Sequence, residues 1–436
     1  MKLSINNCAK INNANIIIDG ITVIAGENNT GKSTVGKILF SVFNAMNNID
    51  FKIIQERKRE IYNVCRANLR NYGMSKEEKP LMFRTRDILL RRISGKIADL
   101  DVDEVTVENI SDIINTVFKE IHLSESVSDF EYFNKIMDTI TREVVDIFNI
   151  PEIVISREVL TRYFQNVFSG QINSLYQQEK KTVIGIEIKG KNIELDFDNN
   201  VCSRYDSPIS IMHKAIYIDN PFILDSLDSL DSFAGLNMMN RFLKGLLTEE
   251  SDRDVMDGII ESVMAKEKLE DIDALLGKIV VGNILEEKSD NYFLDDEDFQ
   301  EPIAFNNLST GLKSFVLIKM LLEKGIIRNK DVIILDEPEI HLHPEWQVAY
   351  GELIVLIQKH FDLTIVVATH SPYFVDALNL FSTKYETDMR VNYYLSSMKN
   401  NGVEMELVTD DIEKIYKKMA SPIQVLDTLR YELNNR

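Results

Sequence analysis

Near its beginning the sequence reads Gly26-Glu27-Asn28-Asn29-Thr30-Gly31-Lys32-Ser33. Two glycines separated by four residues and followed by Lys and a hydroxyl residue form the pattern of a phosphate-binding loop. Gly26 and Gly31 stand where a side chain would block the approach of a phosphate to backbone N–H groups. Lys32 is expected to reach the β- and γ-phosphates, and the Ser33 hydroxyl is placed to bind Mg²⁺. We therefore predict that this loop, with Thr34 after it, binds a nucleotide.

The residues on either side of the loop agree with this prediction. The run Ile21-Thr22-Val23-Ile24-Ala25 is rich in β-branched residues and predicts a strand. After the loop, residues 34–43 carry apolar side chains at helical spacing, namely Val35, Ile38, Leu39 and Val42. Strand, glycine loop and helix N-terminus come in the order that a phosphate site requires. The sequence therefore predicts an α/β fold built around this loop.

Length and composition limit the class of protein. The chain has 436 residues, of which 44% are apolar, so we expect a folded, soluble protein with two structural parts. Its three cysteines have no paired spacing, which favours a reducing compartment over a disulfide scaffold. The first residues have no signal-peptide core, and no apolar stretch approaches 18 residues. We expect a cytoplasmic location and no membrane partner.

The charge is strongly negative overall but unevenly distributed. A formal charge of −20 opposes non-specific binding of nucleic acid over the whole surface. Between Phe51 and Lys96, however, 13 Lys or Arg residues face only 5 Asp or Glu residues. The arginines of this stretch include Arg84, Arg86, Arg91 and Arg92. Either the stretch is a basic face for nucleic acid, or its helices neutralise acidic neighbours or a partner. Both interpretations remain open.

The hydrophobic pattern divides the chain into three segments. Residues 1–45 predict strands followed by the phosphate loop, with Asp19-Gly20 as a hairpin turn before the strand that leads into the loop. Residues 46–180 have helical apolar spacing without sustained heptads, which predicts a globular helical insert. Residues 181–436 begin with a predicted β-hairpin and an acidic helical segment. The first and third segments are expected to form one nucleotide-binding domain.

The last third of the chain alternates strands and helices. Residues 331–338 form an apolar strand that ends in Asp336 and Glu337, and a strand over residues 363–368 ends just before His370. Strand-helix-strand order implies a parallel sheet with its ligand at the carboxyl ends of the strands. There, Asp336 is suited to orient Mg²⁺ through water, Glu337 to polarise an attacking water as general base, and His370 to donate to the same phosphate.

Two clusters of acidic and histidine residues have the composition of metal sites but not the spacing of ligands. Residues 286–301 contain eight carboxylates without the spacing or glycine of an EF-hand, which favours a solvated loop. His341 and His343, with Glu339 and Glu345 nearby, lack a third protein ligand at zinc-site spacing. The sequence therefore predicts no metal besides the Mg²⁺ that accompanies the nucleotide.

A further motif connects these pieces to a known family. The sequence Leu308-Ser309-Thr310-Gly311-Leu312-Lys313 precedes a predicted helix. With the phosphate loop, a Walker B strand at residues 333–337 and a switch histidine at His370, the chain resembles an ABC-type ATPase. In that family the signature Ser and Gly contact the γ-phosphate bound on a second subunit. The resemblance therefore implies that Ser309 and Gly311 complete the ATP site of another copy, in a head-to-tail homodimer or higher oligomer.

The resemblance is more specific in the soluble branch. Residues 337–347 and 368–374 look like the soluble RecF/SMC and OLD-like ATPases of bacteria. The resemblance covers about 120 residues at the C-terminus and 45 at the N-terminus. It implies an ABC ATPase head with a mostly parallel central sheet and an antiparallel β-element. It also implies that the protein binds ATP and Mg²⁺. In these relatives residues 339–345 correspond to the D-loop at the dimer interface. Asp219 or Asn220 is the candidate for the family's glutamine-loop contact.

The resemblance also suggests a function. OLD nucleases carry a C-terminal Toprim domain, and only 66 residues follow His370, so we expect no nuclease domain here. Stand-alone ATPases of this shape resemble those of antiphage systems such as Septu and PARIS, where a separately encoded effector, often a nuclease, is held by the ATPase. The expected function is an ATP-dependent sensor or scaffold of this kind. The alternative is a RecF/SMC-like DNA-binding ATPase in repair or recombination, whereas the long helical insert disfavours a transporter subunit.

Overall fold

The computed structural model describes residues 1–69, 82–119, 130–177, 179–227, 235–248, 271–286, 292–296, 299–399 and 402–434. Two compact units make up the chain. The first, which we call the head unit, consists of Met1–Asn47 and Leu160–Arg436, and the second, the helical unit, is Asn48–Val159.

The strands of the described residues are β1 Lys2–Cys8, β2 Ile11–Ile17, β3 Ile21–Gly26, β4 Thr182–Ile188, β5 Lys191–Asp198, β6 Val201–Asp206, β7 Ala215–Ile218, β8 Asn283–Glu286, β9 Tyr292–Asp295, β10 Ile303–Ala304, β11 Val332–Asp336, β12 Thr364–Thr369, β13 Val391–Lys399 and β14 Gly402–Leu407. The helices are α1 Lys32–Met46, α2 Ile49–Asn68, α3 Met82–Ala98, α4 Val107–Lys119, α5 Phe130–Phe148, α6 Glu152–Phe168, α7 Met238–Thr248, α8 Thr310–Glu323, α9 Pro344–Phe361, α10 Pro372–Lys384 and α11 Glu413–Asn434.

One large sheet dominates the head unit. Its eleven described strands have the order β6-β5-β4-β1-β2-β14-β13-β3-β12-β11-β7. The five strands from β13 to β7 are all parallel to one another. The strands from β6 to β2 are antiparallel. The predicted α/β fold, with a parallel central sheet and an antiparallel β-element, is therefore confirmed.

The predicted hairpin at Asp19-Gly20 is wrong. Strand β3 pairs with β12 and β13, whereas β2 pairs with β1 and β14. The C-terminal strands β13 and β14 thus lie between the two strands that the turn connects. All six residues of β3 are buried. Because a fully buried strand needs partners on both edges, pairing with distant strands prevails over the local turn signal.

Close packing under the sheet positions the helix that follows the phosphate loop. Gly36 lies on α1, and a Cβ atom there would stand 2.5 Å from Cγ2 of Ile334 on β11. Such a contact is far below van der Waals distance, so glycine lets α1 approach β11. Asn44 on the same helix donates to the Ala215 carbonyl of β7 at 2.7 Å. These contacts hold α1 across the parallel half of the sheet.

The C-terminal half of α6 belongs to the head unit, although the sequence pattern groups residues 160–180 with the helical insert. The Phe164 ring lies 4.5 Å from the Phe197 ring of β5, centroid to centroid. The Thr161 hydroxyl accepts the backbone N–H of Cys202 in β6 at 3.0 Å. These long-range contacts, which helical periodicity cannot reveal, attach this segment to the sheet.

The helical unit has a core of apolar side chains. Its buried cluster includes Ile61 of α2, Ile93 of α3, Ile114 of α4 and Ile140 of α5, all 0% exposed. Each helix contributes one stripe, as the 3.6-residue periodicity predicts for helices that pack around a shared core.

Several basic residues of the stretch from Phe51 to Lys96 have partners within the helical unit. Arg57 forms an ion pair with Glu152 at 3.6 Å, and Arg91 forms one with Asp87 at 2.7 Å. The side chains of Arg84 and Arg86 lie outside the described part of the chain. For Arg57 and Arg91, these pairs agree with the interpretation that the basic stretch neutralises acidic neighbours. Whether the stretch binds nucleic acid stays a prediction.

Two described parts of the acidic stretch from Glu286 to Glu301, namely Glu286 and Tyr292–Asp295, belong to a small antiparallel sheet, β8 to β10, and not to a solvated loop. Glu286 at the end of β8 accepts from the Tyr292 hydroxyl at 2.9 Å and from Lys324 at 2.9 Å. The carboxylates at residues 287–291 and 297–298 lie outside the described residues. Strand β9 has alternating buried side chains and pairs with β8, but the surrounding acidic residues obscure this periodicity in the sequence.

Among the helices of the described residues, none is both long and apolar enough to cross a membrane.

Candidate active site

Three neighbouring parallel strands deliver the predicted site residues to one edge of the sheet. Thr369 at the end of β12 pairs with Ala25 of β3, and Asp336 at the end of β11 pairs with Ala368. Because parallel strands end on the same side, the phosphate loop, the Walker B carboxylates and the switch histidine start from adjacent positions. The placement of these residues follows from the strand order.

The phosphate loop is shaped by glycine and by contacts with β13. Gly31 has a φ of 73°, in the left-handed region that favours glycine. A Cβ atom on Gly26 would lie 2.5 Å from the Ser396 carbonyl oxygen. In the described residues no side chain caps the first turn of α1. The N–H of Thr34 donates to the Gly31 carbonyl at 3.1 Å, and the helix dipole favours an anion at this end of α1.

Lys32 is held inside the loop. Its side chain is 4% exposed, and its ammonium donates to the carbonyls of Gly26 at 3.0 Å and Glu27 at 2.8 Å. The ammonium also lies 3.7 Å from Oε1 of Glu337. Burial lowers the pKa of Lys32, and the charges of Glu337, Asp336 and Glu339 act in the opposite direction. A cation thus stands at the loop, facing the Walker B carboxylates.

Ser33 and Asp336 offer oxygen ligands for a divalent cation. The Ser33 hydroxyl donates to Oδ1 of Asp336 at 2.9 Å, and the Tyr217 hydroxyl donates to Oδ2 at 2.6 Å. Burial raises the pKa of Asp336, while both of these hydrogen bonds act to lower it. A hydroxyl and a carboxylate are hard oxygen donors of the kind that Mg²⁺ prefers, so the residues present fit this ion. Tyr217 orients the carboxylate, and its sequence position in a buried strand gave no signal of this role.

Glu337 stands between Lys32 and His370. Its φ of 52° is left-handed, and its N–H donates to the Ala368 carbonyl of β12 at 2.8 Å. The carboxylate Oε1 lies 3.7 Å from Nδ1 of His370 and the side chain is 27% exposed. A non-glycine residue in the left-handed region costs free energy and persists where the surroundings enforce it. The turn thereby aims a partly exposed carboxylate at the space next to the loop.

Glu339 is a site residue whose place the sequence did not reveal. Its side chain is 2% exposed, and Oε1 accepts from the N–H groups of His370 at 2.9 Å and Ser371 at 3.2 Å. The same oxygen lies 3.4 Å from Nδ1 of His370. The sequence pattern indicated Glu339 as a possible zinc ligand beside His341, and the family resemblance placed it in the D-loop, but neither predicted its contact with His370. No group of three or more His, Cys, Asp or Glu residues in the described ranges is arranged to hold a metal ion.

The signature residues lie at the start of α8. The Ser309 hydroxyl caps this helix by accepting the N–H of Leu312 at 3.4 Å. A Cβ atom on Gly311 would stand 3.0 Å from the Trp346 ring and 3.1 Å from the His341 carbonyl oxygen. No hydrogen bond joins Ser309 or Gly311 to the phosphate loop within the described chain. The role of Ser309 and Gly311 at a phosphate therefore stays a prediction.

Asp219 and Asn220 follow β7, which lies beside β11 in the sheet. The Asn220 side chain accepts the N–H of Phe222 and so caps a short 3₁₀ helix. Oδ1 of Asp219 is buried, and no partner donates to it among the described residues. Burial and the charge of Asp336 raise the pKa of Asp219. Of the two candidates, Asp219 is therefore the one that interacts electrostatically with Asp336.

Comparison with known proteins places the chain in a family. A family model described as "AAA domain, putative AbiEii toxin, Type IV TA system" matches residues 21–376. The curated Septu protein PtuA of Bacillus thuringiensis is 36% identical over 104 residues, which cover 21% of this chain and 25% of that protein. The chain thus matches about a quarter of the length of this relative. Domains of this kind bind nucleotide, usually with Mg²⁺, and the resemblance to ABC-type ATPases is confirmed.

Solved structures with some likeness are heads of SMC proteins. The SMC head bound to the C-winged helix domain of ScpA has a TM-score of 0.41 at 10% identity, covering 95% of this chain and 98% of that chain. The SMC head domain from Thermotoga maritima has a TM-score of 0.36 at 11% identity, covering 93% of this chain and 98% of that chain. Likenesses at this level carry no argument about function.

Proposed function

The chain belongs to the AAA-domain family of AbiEii type, and we propose that it hydrolyses ATP as a head-to-tail dimer that controls a separately encoded effector in bacterial antiphage defence. One observation carries the ATPase part of the proposal. Lys32, Ser33, Asp336, Glu337 and His370 converge at the carboxyl edge of β3, β11 and β12. This is the set of charges and donors that phosphoryl transfer to water requires.

Each residue has a distinct task in the proposed reaction. The first-turn N–H groups of α1 and the Lys32 ammonium bind the phosphates, and Ser33 with Asp336 would hold Mg²⁺, which neutralises charge on the phosphate oxygens. Glu337 accepts a proton from the attacking water, because its carboxylate is partly exposed beside the loop. His370, 3.7 Å from Glu337, donates to the γ-phosphate. The remaining loop residues Glu27 to Thr30, with Thr34, shape the phosphate pocket.

The dimer part of the proposal rests on the position of the signature. Ser309 caps α8 and Gly311 lies in its first turn, and the dipole of a helix favours an anion at its N-terminus. Neither residue forms a hydrogen bond with the phosphate loop of its own copy within the described chain. In a head-to-tail dimer they would complete the γ-phosphate site of the partner copy, as the resemblance implies. Turnover should then be slow and dependent on protein concentration.

The effector part of the proposal is supported by the similarity of a quarter-length segment to Septu protein PtuA and by the defence-related family description. We propose that ATP binding and hydrolysis change the dimer, and that the change holds or releases an effector, which is most simply a nuclease. Purification of the chain together with the products of neighbouring genes tests this part. Stable association with one of them supports the proposal, and a chain that stays alone with every neighbour contradicts it.

The ATPase and dimer parts are tested by Glu337→Gln. We expect hydrolysis at least about 100-fold slower, since a positioned general base contributes 10² to 10⁴ in rate. ATP binding should persist, so the variant should accumulate as an ATP-bound dimer in light scattering. A matched control is Glu352→Gln, which changes a hydrogen-bonded carboxylate outside the site. Hydrolysis by Glu337→Gln at the parent rate would exclude this role.

A second candidate is a RecF/SMC-like ATPase that binds DNA, and the basic stretch from Phe51 to Lys96 is the observation that favours it. DNA affinity that falls steeply with salt would support this function, because phosphate contacts release counterions. If the protein does not bind DNA even at low salt, this second function is excluded and the effector function is the one that stays. Replacing exposed Arg66 by Ala should reduce the salt dependence if the stretch contacts phosphates.

A further inference from the structure

A buried carboxylate joins the Walker B turn to the loop that carries the switch histidine. One oxygen of Glu339, Oε1, accepts from the Thr369 hydroxyl at 2.5 Å and from the N–H groups of His370 and Ser371. Three consecutive residues are thus held by one atom. Hydrogen bonds to a charged acceptor are stronger than those between neutral groups, so the carboxylate is an effective anchor for this loop.

The other oxygen of Glu339 shows that this anchor is costly. Oε2 is buried and has no hydrogen-bond partner in the described part of the chain. Burial of an ionised carboxylate opposes folding, and an unpaired oxygen adds to the cost. A group of this kind in a native structure requires an explanation beyond stability. The carboxylate lies next to the site, because Oε1 is 3.4 Å from Nδ1 of His370. Burial lowers the pKa of Lys32, and the charge of Glu339 is one of those that oppose this lowering.

The loop also has a second attachment that does not involve Glu339. The Ser371 hydroxyl donates to Oε1 of Gln347 on α9 at 2.6 Å and accepts the N–H of Phe374 as the cap of α10. The start of α10 therefore stays attached to α9 when Glu339 is changed. Loss of Glu339 should displace His370 more than it disturbs the fold around it.

We propose that Glu339 is a positioning residue for ATP hydrolysis, which holds the backbone and imidazole of His370 beside Glu337 so that both face one phosphate. The inference rests on the proposed function, since it concerns the same reaction. Glu339 itself makes no contact with the nucleotide in this scheme. Its effect on the rate passes through His370.

A double-mutant cycle tests this dependence, because residues that act as one unit show non-additive effects. ATP hydrolysis is measured for the parent, Glu339→Ala, His370→Ala and the double variant. We expect Glu339→Ala to lower kcat about 10-fold or more, as misplacement of a reacting group does, with KM changed less than about 3-fold because the binding groups remain in place. In the His370→Ala background the same change should cost nothing further. A purely structural role would lower the melting temperature without this interaction.

Two further variants keep the test sharp. Glu339→Gln retains an acceptor oxygen for the three donors, so it should lose less activity than Glu339→Ala, and it completes the cycle if the alanine variant does not fold. Glu352→Ala is the control, since this half-buried carboxylate of α9 accepts from Lys384 at 2.7 Å and Tyr385 at 2.6 Å outside the site. It should keep the parent kcat.

The inference is overturned if Glu339→Ala has the parent kcat, or if it slows hydrolysis by the same factor with and without His370. Its failure is distinguishable from failure of the proposed function. The proposed function fails if the parent does not hydrolyse ATP or if Glu337→Gln hydrolyses it normally, and the inference then falls with it. Parent hydrolysis that is lost in Glu337→Gln, combined with an additive cycle, rejects the role of Glu339 alone.

Discussion

The site edge of the head unit and the core of the helical unit treat charge in opposite ways. At the site edge, carboxylates of Asp336 and Glu339 and the ammonium of Lys32 are buried or nearly so. In the helical unit the core cluster is apolar, and the charged residues pair outside it, as Arg91 does with Asp87. Burial of a charged group destabilises the folded state, whereas burial of apolar surface stabilises it. The first region is therefore organised for chemistry and the second for stability.

The largest expected effect separates the two regions directly. Lys32→Ala removes the cation that the phosphate loop holds, and it leaves the Walker B carboxylates without their counter-charge. Removing one partner from a buried charged contact costs 2 to 5 kcal/mol, so ATP affinity should fall about 1,000-fold, which is about 4 kcal/mol. Titration with a fluorescent ATP analogue measures this. Exposed Lys414→Ala should bind normally, and equal losses in both variants would mean that overall charge, and not the loop, controls binding.

The converse change should alter stability and leave nucleotide binding unchanged. Ile140 is 0% exposed in the core of the helical unit, so Ile140→Ala removes buried methylene groups and leaves a cavity. The expected loss is about 3 kcal/mol in the free energy of unfolding of this unit, measured by hydrogen exchange. Ile153, 46% exposed on α6, is the control and should lose less than about 0.5 kcal/mol on change to Ala. Weaker ATP binding by Ile140→Ala would show that the two regions are not independent.

A pair of helix glycines tests how tightly the site edge is packed. A Cβ atom at Gly36 would collide with Ile334, whereas one at Gly245 on α7 meets nothing within 4 Å. Gly36→Ala should destabilise the head unit by about 2 kcal/mol through overpacking. Gly245→Ala should stabilise it by about 0.5 to 1 kcal/mol, since alanine restricts the unfolded chain. Denaturant titration compares the two, and shifts of the same sign would refute the packing argument.

The smallest expected effect concerns the cost of charge at the site edge. Asp219 has a raised pKa because it is buried beside Asp336, so the folded protein binds its proton more tightly than the unfolded chain does. Its ionisation therefore lowers stability as pH rises from the unfolded pKa through the folded one. Asp219→Asn removes this penalty and should stabilise the protein by about 1 kcal/mol at neutral pH without Mg²⁺.

The pH dependence identifies the cause of that gain. The advantage of Asp219→Asn should shrink as pH falls through the raised pKa and vanish where the parent Asp219 is protonated in both states. Thermal melts at several pH values measure it. A gain that is the same at acid and neutral pH would show that charge is not its source.

Much of the site edge could be predicted because its signals are local. The glycines of the phosphate loop, the apolar run before Asp336 and the run before His370 each encode a strand and its end within a few residues. The rule that ligands bind at the carboxyl ends of parallel strands then placed Lys32 and Glu337 together. Their roles in hydrolysis remain predictions until the variants are measured.

Other features could not be predicted, because they depend on residues far apart in the chain. The turn at Asp19-Gly20 carries a hairpin signal, but the neighbours of β3 come from residues more than 300 positions later. Likewise, Phe164 belongs to a helical pattern, and only its contact with Phe197 assigns it to the head unit. Local periodicity contains no information about which distant strand will satisfy a backbone edge.

The sequence by itself determined the family and the strands that end at the phosphate loop, at Asp336 and before His370, because each depends on short-range spacing and backbone preference. Only the tertiary structure decided that Tyr217 orients Asp336 and that the charge of Asp336 raises the pKa of Asp219. It also decided that Glu339 holds the loop of His370. These contacts join residues from separate strands and turns. The hydrogen-bond partner of a buried polar side chain is set by the tertiary structure, so its role cannot be predicted from local sequence.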